Sequence, residues 1–387
     1  MKLAVVVPRY GPEIGGGAEG LARWAALWLA RRHDVTVLTT SALDYRTWAD
    51  HYPPGETRDG GVRVLRFPVP IPRDGERFDR FYSGIVGRRP GVLVEQEWMR
   101  LQGPVVPGLI ENLEADGGRY DAVLFVPYLY ATTYFGLPVV ADRSVLIPAL
   151  HDEPPAMFRL MERTFSLARG IAFSTAEERQ FCAQRFGAVR ALNRLVGTAL
   201  APVPPGATEP ADGRRRYVLY LGRVDQSKGC DTLLAHHAAA VRHSRRTPRL
   251  VLAGRIAMDL PRAPWLDVRG YVDEEEKARL LAGAIALVMP SSYESLSIVL
   301  LEAWQHGRPV LVTEASDVLV GQVRRAGGGL WYADADEYRR ALDWLAAHPY
   351  SARALGTQGR RYARGRFRPE AVGARLEGLL GEVVTAP

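Results

Sequence analysis

Two acids eight residues apart, Glu294 and Glu302, lie in the most informative segment of the chain, VMPSSYESLSIVLLEAWQHGRPVLV over 288–312. Its pattern reads as a strand ending at Pro290, a loop, and a helix over 296–306 stopped by Gly307 and Pro309. Leu296, Ile298, Val299, Leu300, Leu301, Ala303 and Trp304 make that helix apolar nearly all round, so it belongs in the interior. An acid on a buried helix needs a partner, which singles out Glu302. Glu294 sits at the loop mouth, about 12 Å from Glu302 if the span were fully helical. Between them the helix start offers free N–H groups and a positive dipole end, a setting for phosphate. An outer acid, an anion-binding helix start and an inner acid for hydroxyl groups suit a nucleotide-sugar. The plain alternative pairs Glu302 with an arginine and leaves Glu294 exposed.

A second cluster lies upstream in YLGRVDQSKG, 220–229. A strand ends at Leu221, and Arg223 and Lys228 follow five apart on a loop bounded by Gly222 and Gly229. Two cations at the carboxyl end of a strand can clamp a diphosphate from two sides, Arg as a fork and Lys as a point charge. They can equally be two solvated loop charges. His151 and Asp152 follow the apolar run VLIPAL, and the carboxyl end of a parallel strand is where ligands bind. A lone histidine is more often structural, and its position favours a functional role.

Other motifs are weaker. Gly15, Gly17 and Gly20 spell G-x-G-x-x-G between a strand and a helix. Seven residues separate Val7 from Gly15, and the next strand ends in Thr39 and Thr40, so the tight turn and the ribose acid of a dinucleotide site are both missing. The loop reads better as backbone amides presented near a cleft, or as a flexible turn. Asp334-Ala335-Asp336 spells D-x-D, where an acidic helix cap is favoured over a metal–diphosphate site. The chain lacks G-x-x-x-x-G-K-[ST], G-x-S-x-G and H-E-x-x-H. Only Lys2, Lys228 and Lys277 are lysine, and neither Val224 nor Asp273 supplies the tyrosine four residues ahead that a short-chain dehydrogenase or epimerase needs.

These residues need elements to position them. Strands are read at 1–8, 34–40, 62–67, 122–127, 145–150 and 171–174, with helices over 18–31 and 176–186. A second α/β series runs through 217–221, 249–253, 268–271, 284–289 and 310–313, with a helical tail beyond about residue 335. Residues 197–213, rich in Pro, Gly and Ala, read as a linker between an N-terminal domain at 1–196 and a second domain at 214–366. The 387 residues suit two domains, and two similar α/β units imply a cleft between them. The net charge of +7 is carried almost entirely by arginine, the signature of a GC-rich genome more than of a nucleic-acid partner. No run approaches a membrane span or a signal peptide, and two cysteines fit a reducing cytoplasm. Arg77, Arg80, Arg88 and Arg89 interleave with Phe78, Phe81, Tyr82 and Ile85, so the choice between a peripheral lipid contact at the inner membrane face and a solvated loop stays open.

Taken together, these segments resemble retaining glycosyltransferases of family 4, which have the GT-B fold: two Rossmann-like α/β/α domains facing across a deep cleft. The resemblance rests on Gly16-Gly17-Ala18-Glu19, His151-Asp152, Tyr220-Leu221-Gly222-Arg223 with Lys228-Gly229, Gly270-Tyr271-Val272-Asp273, and Pro290-Ser291-Ser292 with the E-x7-E pair Glu294 and Glu302. It implies that the C-terminal domain binds a nucleotide-sugar donor and that the N-terminal domain binds an acceptor, whether glycan, lipid-linked or a small molecule. The last helix, 367–387, would cross back to the N-terminal domain. Arg223 and Lys228 would hold the diphosphate and Glu302 the ribose hydroxyls, while the backbone at Tyr271 and Val272 would contact the base. Glu294 with the amides of Leu296 and Ser297 would hold donor sugar and phosphate, His151 would touch the sugar near the reacting carbon, and Gly16 and Gly17 would lie near the phosphates and acceptor. Ser295-Leu296-Ser297 departs from the glycine-containing stretch of many members, which bears on donor-sugar choice. The expected activity is metal- and cofactor-independent sugar transfer to an alcohol with retention. A GT-B phosphorylase or synthase and a non-enzymatic sugar- or nucleotide-binding protein are the rivals.

Overall fold

The computed structural model describes residues 1–14, 17–187, 191–203 and 217–386. The chain divides into two units, one of residues 1–199 with everything from Val372 on, the other Leu200–Ala371. From sequence the breaks were placed at 196/197, 213/214 and 366/367. Residues 204–213, most of the expected linker, lie outside the described residues.

The first unit runs β1 (Lys2–Val6), α1 (Gly17–Leu29), β2 (Asp34–Thr40), β3 (Gly55–Asp59), β4 (Val62–Phe67), α2 (Gly75–Ile85), α3 (Val92–Gln102), α4 (Pro107–Asp116), β5 (Ala122–Phe125), α5 (Ala131–Gly136), β6 (Ser144–Leu146), α6 (Leu160–Leu167), β7 (Gly170–Phe173), α7 (Ala176–Phe186) and β8 (Leu192–Leu195). Its eight strands lie in the order β3-β4-β2-β1-β5-β6-β7-β8, and only the β3–β4 pair is antiparallel. Both faces are covered, which is why the strands are continuous apolar runs: Ala4 and Val6 enter one core, Leu3, Val5 and Val7 the other. β3, GETRD, has no apolar residue and is an exposed edge, which is why periodicity does not reveal it.

The second unit runs β9 (Tyr217–Leu221), α8 (Cys230–His243), β10 (Arg249–Ala253), β11 (Leu266–Gly270), α9 (Glu274–Gly283), β12 (Leu287–Met289), α10 (Ile298–Gln305), β13 (Val310–Thr313), α11 (Asp317–Ala326), β14 (Gly329–Tyr332), α12 (Ala335–Ala347) and α13 (Pro349–Arg366), followed by α14 (Pro369–Thr385). Its sheet is wholly parallel in the order β11-β10-β9-β12-β13-β14. The chain therefore winds outward from β9 in one direction and from β12 in the other. The gap between these two strand ends is the topological switch point, where doubly wound sheets bind ligands. α14 returns to the first unit, where Val372, Leu376, Leu379, Leu380 and Val383 fill one of its cores at helical spacing.

Several sequence expectations change here. The strand read at 145–150 ends at Leu146, because Pro148 has no N–H to give a ladder and Ala149 has a φ of 52°. The helix read at 296–306 begins at Ile298, capped by the Ser297 hydroxyl, which accepts the Leu300 N–H at 3.3 Å. The arginine- and aromatic-rich stretch around residue 80 is not a loop: α2 is capped by Asp74, Phe78 is buried in the core, and Phe81, Tyr82 and Ile85 pack against it. Asp334 of the D-x-D caps α12, accepting the Glu337 N–H at 2.8 Å. No helix among the described residues is long and apolar enough to cross a membrane.

Candidate donor and sugar sites

The switch point of the second unit is built by two loops, one leaving β9 and one leaving β12. Gly229 locks them together: its φ is 72°, and a Cβ there would lie 2.5 Å from the Pro290 carbonyl oxygen. That contact brings the end of the first loop against the start of the second. Lys228 Nζ thus lies 2.9 Å from Glu294 Oε1, joining two residues 66 apart in sequence. Asp225 organises the first loop from within. Its carboxylate accepts the Lys228 N–H at 2.9 Å, the Ser227 hydroxyl at 2.7 Å and the Arg223 guanidinium. Arg223 also donates to Ser227 Oγ at 3.1 Å. The two cations are therefore each paired with a carboxylate, Arg223 with Asp225 and Lys228 with Glu294. Asp225 was missed in the sequence, where its signal is the capping position three residues before Lys228.

Glu302 is one turn into α10. Its partner is a lysine and not an arginine: Lys277 Nζ, on α9, lies 2.8 Å from Glu302 Oε1 and 2.8 Å from Glu274 Oε2. Glu302 Oε2 is buried and has no hydrogen-bond partner among the described residues. Burial pushes the Glu302 carboxyl above its usual range, and Lys277 offsets this only in part. Burial pulls the Lys277 ammonium down, but Glu302 and Glu274 outweigh it and the net shift is upward. Lys277 was counted in the sequence and given no role, because nothing local ties α9 to α10. Val272 packs in the same core cluster as Leu296 and Ile298, while Tyr271 is almost fully exposed. The backbone expected to contact the base thus runs between one anchored and one exposed side chain.

His151 belongs to the first unit. Its Nε2 lies 3.6 Å from Glu153 Oε1, which accepts the buried Tyr128 hydroxyl at 2.7 Å. Gly16 lies outside the described residues, and Gly17 opens α1. In the first turn of that helix Glu19 pairs with Arg9, whose Nη1 donates to the Leu43 carbonyl at 2.9 Å. This buried pair, also unforeseen, fixes the end of β1 to the start of α1. Among the described residues no three His, Cys, Asp or Glu side chains converge as a metal-holding set.

Residues 215–348 match the model of the Glycosyl transferases group 1 family. Over this segment the chain is similar to the group 1 glycosyl transferases. The segment holds Arg223, Lys228, Glu294, Glu302 and Lys277. The chain is 30% identical over 168 residues to the MMP alpha-(1->4)-mannosyltransferase of Mycolicibacterium hassiacum, covering 40% of each chain. It is 30% identical over 241 residues to the D-inositol 3-phosphate glycosyltransferase of Frankia alni, covering 54% of this chain and 58% of the other. The chain thus spans about half of the length of these curated relatives. Among solved structures, the sucrose-phosphate synthase of Thermosynechococcus elongatus superposes with a TM-score of 0.73 at 18% identity, with 100% of both chains covered. The alpha,alpha-trehalose 6-phosphate synthase of Burkholderia multivorans gives 0.74 at 14%, again over 100% of both chains. At such identities the likeness speaks for the fold alone, and the fold is GT-B.

Proposed function

We propose that the protein transfers a sugar from a nucleoside-diphosphate sugar to an alcohol, with retention at the anomeric carbon and without a metal. The observation that carries this reading is the Lys228–Glu294 pair, held beside Arg223 and the start of α10 at the switch point of the segment similar to the group 1 glycosyl transferases. The relatives named as a mannosyltransferase and an inositol-phosphate glycosyltransferase support it.

The chemical problem is the charge that builds on the departing diphosphate. Lys228 and Arg223 exchange their carboxylates for phosphate oxygens, and the N–H groups opening α10 add a dipole, an electrostatic contribution of several kcal/mol. Glu294, released from Lys228, is then free to accept hydroxyls of the donor sugar. The unpartnered Oε2 of Glu302, beside the Lys277-bound Oε1, accepts the ribose hydroxyls. His151 supports the oxocarbenium-like sugar, and the leaving phosphate takes the acceptor's proton, so no carboxylate acts as nucleophile. Lys228 and Lys277 are each ion-paired with a carboxylate, which suits charge pairing and not the Schiff base that a pyridoxal-dependent phosphorylase needs.

The test is acceptor-free hydrolysis of a panel of nucleotide-sugars that includes UDP-glucose and GDP-mannose. Turnover of one of them, lost in Lys228→Ala and Glu302→Ala, is the expected result. Near-normal turnover in both variants removes the site assignment, and no turnover of any donor removes the reading.

A further inference from the structure

Glu178, on α7, is buried to 1% exposure and plays no part in the reading above. Its carboxyl group takes two main-chain N–H groups, Leu150 on Oε1 at 2.7 Å and Ser174 on Oε2 at 2.5 Å. Its own N–H is held by Thr175 Oγ1, the cap of α7, at 3.1 Å. Leu150 and Ser174 lie on the segments leaving β6 and β7, which are neighbours in the sheet. One side chain therefore bridges two adjacent strand ends on the edge where ligands bind. Burial pushes the carboxyl up to about 8, against the pull of the Ser174 and Leu150 amides, so the group sits there at a cost.

The Leu150 N–H is held at a strained point. Ala149, just before it, has a φ of 52°, a left-handed conformation that an alanine avoids. His151 follows immediately. A bend of this kind persists only where its surroundings over-determine it; the Glu178–Leu150 bond is one of the polar contacts that hold it, with the Tyr128 N–H on the Pro148 carbonyl at 3.1 Å and the Glu153 N–H on the His151 carbonyl at 2.8 Å on either side.

Building on the proposed role of His151 at the donor sugar, we propose that Glu178 is its positioning residue, clamping the bend over 149–151 through the Leu150 amide and so aiming the imidazole. Both of its partners are donors, so the clamp is complete in the ionised carboxylate, and it is tested near pH 9, above the group's value of about 8. A glutamine can accept only one of the two N–H groups and turns its own NH₂ toward the other.

The test uses the full chain. In Glu178→Gln the Leu150 amide should exchange about tenfold faster than in wild type while β1 amides are unchanged, and the His151 ring ¹⁵N signals should shift. The kcat for hydrolysis of UDP-glucose or GDP-mannose, whichever wild type turns over, should fall about tenfold with KM within about twofold. Adding Ala149→Gly, which relieves the bend, should return a substantial part of the lost kcat. If Glu178→Gln does not fold, Glu178→Asp, too short to reach both amides, takes its place. Unchanged Leu150 exchange overturns the proposal, as does lost protection with an unaltered kcat. If wild type hydrolyses neither donor, the transferase reading falls, and the His151 signals still decide the clamp: unshifted in the variant, they overturn it.

Discussion

Lys228 Nζ and Glu294 Oε1 are 2.9 Å apart, so each neutralises the other, and on the proposed reading each must leave the other to take its own ligand. Glu294→Gln should therefore separate binding from turnover. With Lys228 freed, nucleoside diphosphate alone, tested with UDP and with GDP by calorimetry, should bind as tightly as in wild type or several-fold more tightly. Turnover of the nucleotide-sugar should fall by about 10²–10³, the cost of a lost transition-state contact. Lys228→Ala should lower both.

Lys277 is the cation facing Glu302, and removing it leaves a buried acid uncompensated. Lys277→Met should cost about 2 kcal/mol near neutral pH, less than a fully dry pair because both side chains retain about a fifth of their exposure. The Glu302 carboxyl lies above its unfolded value already and should rise further. An acid raised in the folded state contributes stability at low pH that is lost as pH climbs from the unfolded value through the folded one. The penalty of Lys277→Met in thermal melts should accordingly be larger at pH 8 than at pH 5. An equal penalty at both would mean that Glu302 does not depend on Lys277.

His237 is buried and neutral. Its Nε2 donates to the Pro248 carbonyl at 3.0 Å and its Nδ1 accepts the Tyr338 hydroxyl at 2.9 Å. Burial pulls it from the usual 6.5 down to about 4. Between these values the unfolded chain binds more protons, so stability should fall as pH drops through that window, by up to about 1.4 kcal/mol per pH unit. His237→Gln, compared with wild type in denaturant melts at pH 4.5 and 7, should flatten this slope.

Gly229 joins the β9 and β12 loops, and its substitution tests whether that closeness matters. Gly229→Ala places a methyl against the Pro290 carbonyl at an unfavourable φ. It should destabilise by about 1–3 kcal/mol and lower nucleotide-sugar turnover more than Gly270→Ala, whose Cβ would meet nothing within 4 Å. Equal effects of the two variants on turnover would remove the special role of the contact.

Much of the fold was legible because it is written in local patterns. The bounds of α7 follow from the Thr175 cap at one end and Gly187 at the other. The alternation of apolar strands with helices named a doubly wound α/β protein, and Arg223, Lys228, Glu294 and Glu302 stood out by their spacing on loops and a buried helix. The failures have local causes too. β3 has no apolar residue to signal it, and Ala149 gives no sequence hint that the chain turns left-handed there.

The sequence by itself determined which residue types stand at the ends of which elements, because caps, apolar periodicity and glycine positions act over a few residues. It did not determine who faces whom. Lys228 meets Glu294 across 66 residues, Lys277 meets Glu302 across 25, and Glu178 reaches back 28 to Leu150. These pairings depend on strand order and on how two loops or two helices close on each other. Each is a balance of desolvation against one or two partners that only the packed structure supplies.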